Sequence, residues 1–221
     1  ARSYYANYCW KTYNQCDCVI NLHSNASTNN TIRGISTYYD IDTDPNDPTP
    51  GDYDGGNLSE HTNNINNGNM ARFARAIHNQ IFTTVKNYYK PTWNSAWADG
   101  WGNHNIVASI WQYGEVRFPQ MPSCMVEYAY HTNVDDARAI LDDNWKRLAA
   151  QGTYKGICDY FGVSYNLPSA ITDLQAIPNA QSGTIALSWT APGEDGTIVP
   201  ATSYIVKYST ALINTQTDFD L

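Results

Sequence analysis

Glu127 occupies the position in this sequence that is most unusual for its side-chain type. It lies within the apolar segment Ser123–Ala129, whose composition is typical of a buried strand. A glutamate is rarely buried without a partner. If the carboxyl group faces a pocket, burial raises its pKa toward the range in which it serves as a general base. If it lies at a strand edge it faces solvent, and the residues alone leave both alternatives open.

His23 is the second candidate, because it ends the short apolar segment Asp17–His23 directly before a polar loop. Active-site groups of α/β sheets gather where strands end, whereas a hydrogen-bonded structural histidine is the alternative. His131 follows Glu127 closely enough to share its pocket. The other histidines, none of which shows the paired spacing of a helical zinc motif, are His61, His78 and His104.

The composition excludes several classes of protein. The 221 residues carry 13 basic and 21 acidic side chains, a net charge of -8, which argues against a general nucleic-acid binder with its basic surface. No run of about 18 apolar residues occurs, so no membrane span is expected. Aromatic residues make up 13% of the chain, which is too many for a disordered protein.

Strands that alternate with helices predict an α/β layer fold. Amphipathic helices are expected over Met70–Tyr89 and Asp135–Phe161, and a shorter one over residues 3–13. The segment from Asp40 to Gly68 is rich in Asp, Pro, Gly and Asn and is predicted to be a long loop. The predicted strands cover residues 17–23, 34–39, 106–111 and 124–129.

The five cysteines leave at least one thiol unpaired within the chain. Buried free thiols are one interpretation, since free cysteine behaves as a small hydrophobic residue. A Cys124–Cys158 or Cys9–Cys18 disulfide is the alternative.

Two segments resemble the zinc-dependent N-acetylmuramoyl-L-alanine amidases of the Amidase_3 type. Asp17–Ala26, which ends in His-Ser-Asn-Ala, is similar to the strand and His-x-Asn-Ala motif of that family. Pro122–Asn133 resembles its catalytic-glutamate strand. The resemblance covers nearly all of residues 1–165 and is loose over 40–121.

The resemblance implies a reaction, a cofactor and a compartment. In this family a zinc ion activates a water, a glutamate acts as general base, and the amide between N-acetylmuramic acid and the L-Ala of the peptidoglycan stem peptide is cut. By this resemblance His23 is the last zinc ligand and Glu127 is the catalytic carboxylate. Catalytic zinc keeps three protein ligands and one open position. The resemblance also implies an α/β fold with a mixed sheet flanked by helices, and an extracellular, periplasmic or cell-wall-associated protein.

The family's first two zinc ligands, a histidine and a glutamate, precede the region that matches Ala1. We therefore expect residues 1–165 to be an amidase-like domain that lacks its N-terminal part, active in the complete parent protein. The chain alone is predicted not to bind zinc tightly, with Glu60 or His61 left open as substitute ligands.

The segment 166–221 resembles the start of a bacterial extracellular fibronectin type III domain that lacks its C-terminal part. Its predicted strands cover 171–177, 184–189 and 203–208, and Trp189 would be its core tryptophan. Short strands separated by turn residues are typical of a β-sandwich.

Two alternatives to an enzyme follow from the same features. One is a non-catalytic wall-binding or adhesion protein that retains the amidase fold. The other is a self-associating protein that uses exposed strand edges, since an unpaired edge is a template for pairing.

Overall fold

The chain divides into two compact units, Ala1–Val163 and Ser164–Leu221. The computed structural model describes residues 2–41, 58–92, 103–109, 113–165, 171–179, 181, 183–192 and 204–213. The helices of the first unit are α1 (Arg2–Tyr13), α2 (Leu58–Asn66), α3 (Asn69–Thr92), α4 (Gly114–Arg117), α5 (Val134–Leu141) and α6 (Asp143–Phe161). Its strands are β1 (Val19–Asn25), β2 (Ile35–Asp40), β3 (Asn103–Ser109) and β4 (Ser123–Tyr130).

The four strands form one mixed sheet in the order β1-β4-β2-β3. Strands β1 and β4 run parallel, β4 and β2 run antiparallel, and β2 and β3 run parallel. The predicted α/β fold with a mixed sheet is therefore confirmed. Strand β1 lies at one edge of this sheet, and self-association through such an edge stays a prediction.

The main core lies between the sheet and helices α3 and α6. The apolar stripe predicted for the first long helix is buried, with Phe73, Ile77 and Ile81 all fully inaccessible. These side chains pack with residues of β4 and α6, including Val126 and Leu148. The 3.6-residue repeat thus matches the face that α3 turns to the core.

Two glycines let α6 approach α3 closely. A Cβ atom added at Gly152 would lie 2.5 Å from the Ile81 Cα atom, and one at Gly156 would lie 2.6 Å from the Ile77 Cα atom. Both obstacles are backbone atoms, so a side-chain rotation cannot relieve them. The pair of glycines, four residues apart, sets the distance between the two helices.

We expect Gly156→Ala to lower the free energy of unfolding by about 1–3 kcal/mol, the usual cost of overpacking a core. Gly162→Ala is the matched control, since nothing lies within 4 Å of its added Cβ atom and only its positive φ of 66° opposes the change. The Gly162→Ala substitution is expected to lower the free energy of unfolding by about 1 kcal/mol. Urea unfolding measures both, and a Gly156→Ala protein as stable as the wild type would contradict the close packing.

Three predicted boundaries were wrong. Helix α2 forms at Leu58–Asn66, within the predicted long loop, while residues 42–57 lie outside the described part. The helix predicted over Asp135–Phe161 is two helices, because Asp142 ends α5 in an extended conformation and caps α6 by accepting from the Trp145 N–H. Residues 204–208 form no strand.

The alternative of a Cys124–Cys158 or Cys9–Cys18 disulfide is wrong, since all five cysteines are free. Cys124 and Cys158 are buried at separate places in the core, one in β4 and one in α6. Cys9 and Cys18 lie on α1 and directly before β1 and remain unbonded. The alternative interpretation, that cysteine serves as a small buried hydrophobic residue, holds for Cys124 and Cys158.

The thiols are expected to react with a disulfide reagent in a fixed order. Burial raises the pKa of Cys18 to about 11, and since the thiolate is the reactive form, Cys18 should react slowly at pH 8 and faster as the pH approaches that value. Cys124 and Cys158 should react only after unfolding. Thiol titration in denaturant without reductant should find five free thiols. A count of three or fewer would show that the chain contains a disulfide.

The second unit contains, among its described residues, the antiparallel strands β5 (Gln175–Pro178) and β6 (Ile185–Ser188). The Asp173 carboxylate accepts a hydrogen bond from the Thr190 N–H at 3.0 Å. The rings of Trp189 and Tyr204 meet edge to face, with centroids 5.2 Å apart. In the described parts of both units, no helix has the length and apolar character needed to cross a membrane.

Candidate active site

Glu127 lies in the middle of the sheet rather than at a solvent-exposed edge. Strand β4 pairs with β1 on one side and with β2 on the other, and Glu127 stands opposite His23 and Ser36 in the two ladders. The residue is only 9% exposed. Its neighbour Tyr128 packs against Trp145 of α6, so strand alternation turns Glu127 to the opposite face of the sheet.

The carboxyl group of Glu127 has an environment suited to proton transfer. Its Oε2 atom is buried and has no hydrogen-bond partner. Burial raises the pKa of Glu127, electrostatic interaction with His23 and His131 lowers it, and electrostatic interaction with Glu115 raises it again. Burial is the largest of these effects, so the pKa lies above the ordinary value of 4.5. The structure thus places Glu127 in a buried position rather than at a strand edge that faces solvent.

His23 is brought directly beside Glu127 by the parallel pairing of β1 and β4. Its Nε2 atom lies 2.8 Å from Oε2 of Glu115 in α4. The two groups do not meet hydrogen-bond geometry, and this nitrogen is buried without a hydrogen-bond partner. The partner that stands nearest to this nitrogen is therefore the Glu115 carboxylate, in ion-pair contact.

His131 and Ser24 lie at the rim of the same region. The Nδ1 atom of His131 is 3.0 Å from the Ser24 hydroxyl, and the His131 backbone N–H donates to the Asn25 carbonyl. The His131 ring is exposed, yet its charge lowers the pKa of Glu127. The prediction that His131 shares the surroundings of Glu127 agrees with this electrostatic interaction.

His61 and Glu60, which the sequence left open as substitute zinc ligands, receive no support from the described contacts. His61 is buried, with Nδ1 2.7 Å from the Pro119 carbonyl and Nε2 3.0 Å from the Asp40 carboxylate. Both ring nitrogens are thus engaged, and neither is left for a metal. Glu60 lies in α2, and its side chain is outside the described residues.

The two remaining histidines lie on α3 and β3. His78 is fully buried on α3, with its Nδ1 atom 3.0 Å from the Thr37 hydroxyl. His104 lies in β3. His61 and His78 are therefore hydrogen-bonded histidines of the core.

Glu115 is a site residue that the sequence did not single out. It stands in the four-residue helix α4, 92 positions from His23, so no local spacing connects the two. The signal that exists is weak: Asn21 and His23 alternate with Leu22 on β1 and so share one face. The Asn21 side chain donates to the Glu115 carbonyl at 2.9 Å.

The donor atoms suit a zinc ion in kind but are too few for a catalytic site. Imidazole nitrogen and carboxylate oxygen are both zinc ligands, and His23 supplies a buried nitrogen without a hydrogen bond. However, the described ranges contain no group of three or more His, Cys, Asp or Glu residues placed to hold a metal ion.

Structures of cell-wall amidases resemble this chain. The amidase of Clostridium difficile 630 is 20% identical with a TM-score of 0.48, over 73% of this chain and 63% of that one. The catalytic domain of CwlV from Bacillus (Paenibacillus) polymyxa var. colistinus is 18% identical with a TM-score of 0.46, over 72% and 64%. An amidase of Nostoc punctiforme is 16% identical with a TM-score of 0.46, over 71% and 63%.

The chain thus spans less than two thirds of the length of each of these solved amidases. A search of curated proteins found no match. The family model described as N-acetylmuramoyl-L-alanine amidase matches residues 2–159, most of the chain and all of the strands that form the site. The chain belongs to the Amidase_3 family of N-acetylmuramoyl-L-alanine amidases.

Proposed function

We propose that the complete protein hydrolyses the amide between N-acetylmuramic acid and the L-Ala of the peptidoglycan stem peptide. The observation that carries this proposal is the buried carboxylate oxygen of Glu127, which has no hydrogen-bond partner, beside the His23 imidazole on the neighbouring strand. These residues stand at the two sequence motifs that resemble the family's functional segments. Membership of the amidase family supports the class of reaction.

Glu127 would act as the general base and then as the general acid. Its carboxylate accepts a proton from the water that attacks the amide carbonyl, and it returns that proton to the departing amine of L-Ala. A carboxyl group with a pKa raised by burial suits both steps, because the two protonation states then exchange nearer to neutral pH. The unpaired Oε2 atom leaves a position where the water would be held.

His23 would be one ligand of a zinc ion in the complete protein. When bound, zinc polarises the carbonyl and lowers the pKa of its water to about 7. The imidazole of His23 would supply this ligand atom in its neutral form, which requires the contact with the Glu115 carboxylate to open. Glu127 would remain outside the metal's ligands, so that its carboxylate stays free to move a proton.

The proposed substrate implies where the protein acts, and the two units of the chain are proposed to be separate modules. Peptidoglycan lies outside the cytoplasmic membrane, so we place the protein in the extracellular space, the periplasm or the cell wall. Residues 1–165 would be the amidase-like domain, and residues 166–221 would contribute strands to a fibronectin type III-like module. The β5–β6 pair and the contact between Trp189 and Tyr204 support the second assignment.

Product analysis of digested peptidoglycan tests the proposed reaction. The complete protein, supplied with zinc, is expected to release new amino groups that derivatisation identifies as L-Ala, with no new reducing sugar ends. New reducing ends without amino groups would indicate a glycosidase. New amino groups on other stem residues would indicate an endopeptidase, and either result would overturn the proposal.

A further inference from the structure

The outward face of helix α1 carries aromatic rings rather than charged side chains. Residues 5, 8, 9, 12 and 13 follow the three- and four-residue spacing that places side chains on one face of a helix. Of these, Tyr5, Tyr8 and Tyr13 are 70%, 49% and 55% exposed. The other two, Cys9 and Thr12, are also uncharged. These five residues are named the tyrosine face.

The three rings of the tyrosine face are arranged by contacts with one another. The Tyr5 and Tyr8 rings are stacked with centroids 6.5 Å apart, and the Tyr8 and Tyr13 rings meet edge to face at 5.7 Å. A side-chain hydrogen bond with Cys9 raises the pKa of Tyr5, and one with Tyr8 raises the pKa of Tyr13. The hydroxyl groups therefore stay protonated at neutral pH. Because the rings are ordered in advance, a ligand that binds them loses less entropy.

The opposite face of α1 is anchored to a segment of the candidate active site. Asn7 is buried, and its side chain donates to the Phe118 carbonyl at 2.7 Å and accepts from the Gln120 N–H at 2.9 Å. Phe118 and Gln120 belong to the segment that directly follows α4. Glu115 of α4 lies 2.8 Å from His23. The tyrosine face is thus held on an element that is continuous with the site, while its rings face solvent.

The chemistry of the tyrosine face matches that of a neutral sugar. The face of an aromatic ring is electron-rich and attracts the polarised C–H groups of a pyranose ring. The phenol hydroxyl both donates and accepts hydrogen bonds, as sugar hydroxyls and N-acetyl groups require. Tyrosine offers this contact area at a low entropy cost, since it has only two side-chain torsions. The chain has a net charge of -8, so the neutral sugar backbone of peptidoglycan fits better than its carboxylate-bearing stem peptide.

We propose that the tyrosine face of α1 is an accessory binding site for the N-acetylated sugars of the peptidoglycan glycan strand. This inference rests on the proposed function in taking peptidoglycan as the substrate. The site would hold the polymer by its neutral backbone while Glu127 acts on the amide. Weak contacts with several sugars of one polymer raise the effective concentration of the amide at the active site.

Binding of a sugar oligomer without peptides tests the proposal with no measurement of hydrolysis. The 221-residue chain is titrated with a soluble β-linked oligomer of N-acetylglucosamine while its aromatic NMR signals are followed. We expect the tyrosine signals of α1 to shift and saturate, and the free stem peptide to leave them unchanged. Tyr8→Ala should weaken binding of the oligomer by about 2- to 10-fold, the contribution of one aromatic contact. Tyr8→Phe retains the ring and should bind much as the wild type does.

Tyr154→Ala is the matched control, because Tyr154 is a 47% exposed tyrosine on a different helix, α6. It should bind the oligomer as the wild type does, and all three variants should unfold at the wild-type temperature. Full-strength binding by Tyr8→Ala, an equal loss in Tyr154→Ala, or no binding by the wild type at millimolar oligomer would overturn the inference.

Two further outcomes separate this inference from its alternatives. Self-association of the chain that Tyr8→Ala abolishes, without binding of the oligomer, would assign the tyrosine face to a second copy of the chain and overturn the inference. Oligomer binding that Tyr8→Ala weakens, together with no release of L-Ala amino groups by the complete protein, would support the sugar site. That result would overturn the proposed function and favour a wall-binding protein.

Discussion

Glu127→Gln is expected to lower kcat for amide hydrolysis by about 100- to 10,000-fold in the complete protein, the usual contribution of a general base. The glutamine side chain has the same size and no charge, so it fits the buried position in β4 without accepting a proton. Binding of the polymer depends on other groups, and KM should change little. Initial rates of L-Ala amino-group release from purified peptidoglycan measure the effect.

Two comparisons separate loss of the base from loss of the fold. Glu127→Asp retains a carboxyl group set back by one methylene, and it should keep more activity than Glu127→Gln. Zinc content and thermal unfolding temperature should match the wild type in both variants. Undiminished turnover by Glu127→Gln would remove Glu127 from its proposed role.

Asp136→Ala is expected to lower the free energy of unfolding of the first unit by about 3–5 kcal/mol, the cost of removing one partner of a buried ion pair. The Asp136 side chain is completely buried. Its Oδ1 atom accepts from Arg33 Nε at 3.1 Å, and its Oδ2 atom accepts from the backbone N–H groups of Gly34 and Tyr130 at 2.9 and 3.0 Å. One carboxylate thus joins the start of β2 to the end of β4.

Asp135→Asn is the matched control for this variant. Asp135 is the preceding residue, its side chain is 50% exposed, and its oxygens lie 3.5 Å from Arg33 and 3.8 Å from Arg138. Exposed ion pairs contribute at most about 1 kcal/mol, so this change should have a small effect. Urea unfolding of both variants decides the comparison, and equal losses would show that burial of Asp136 contributes nothing.

The parts of the fold that the sequence predicted best are those whose pattern lies within one short segment of the chain. The apolar side chains of α3 repeat every three or four residues because one face of the helix is buried against the sheet. In β4 an apolar run surrounds a single acid, and that contrast identified Glu127. His23 was identified by its place at the end of an apolar run and by the motif that follows.

The parts that were missed depend on contacts between distant residues. Helix α2 has an Asn-rich composition typical of a loop, and it is held by His61, which contacts Asp40 and Pro119 from other segments. Glu115 lies beside His23 in a helix that is held by long-range contacts, among them the hydrogen bond from the Asn21 side chain to the Glu115 carbonyl. Neither contact leaves a periodic pattern, so neither could be predicted from spacing.

The central place of β4 in the sheet has a consequence for the motions of this protein. Around Glu127 the strand is paired with β1 on one side and with β2 on the other, so its backbone amides can exchange with solvent deuterons only when two ladders open. A strand that has a hydrogen-bonded neighbour on one side only, such as β1 among the described strands, needs less free energy for local opening than β4 does. The proposed base therefore belongs to the slowest-exchanging part of the unit, and it would keep its position while the outer segments fluctuate to admit a polymer chain.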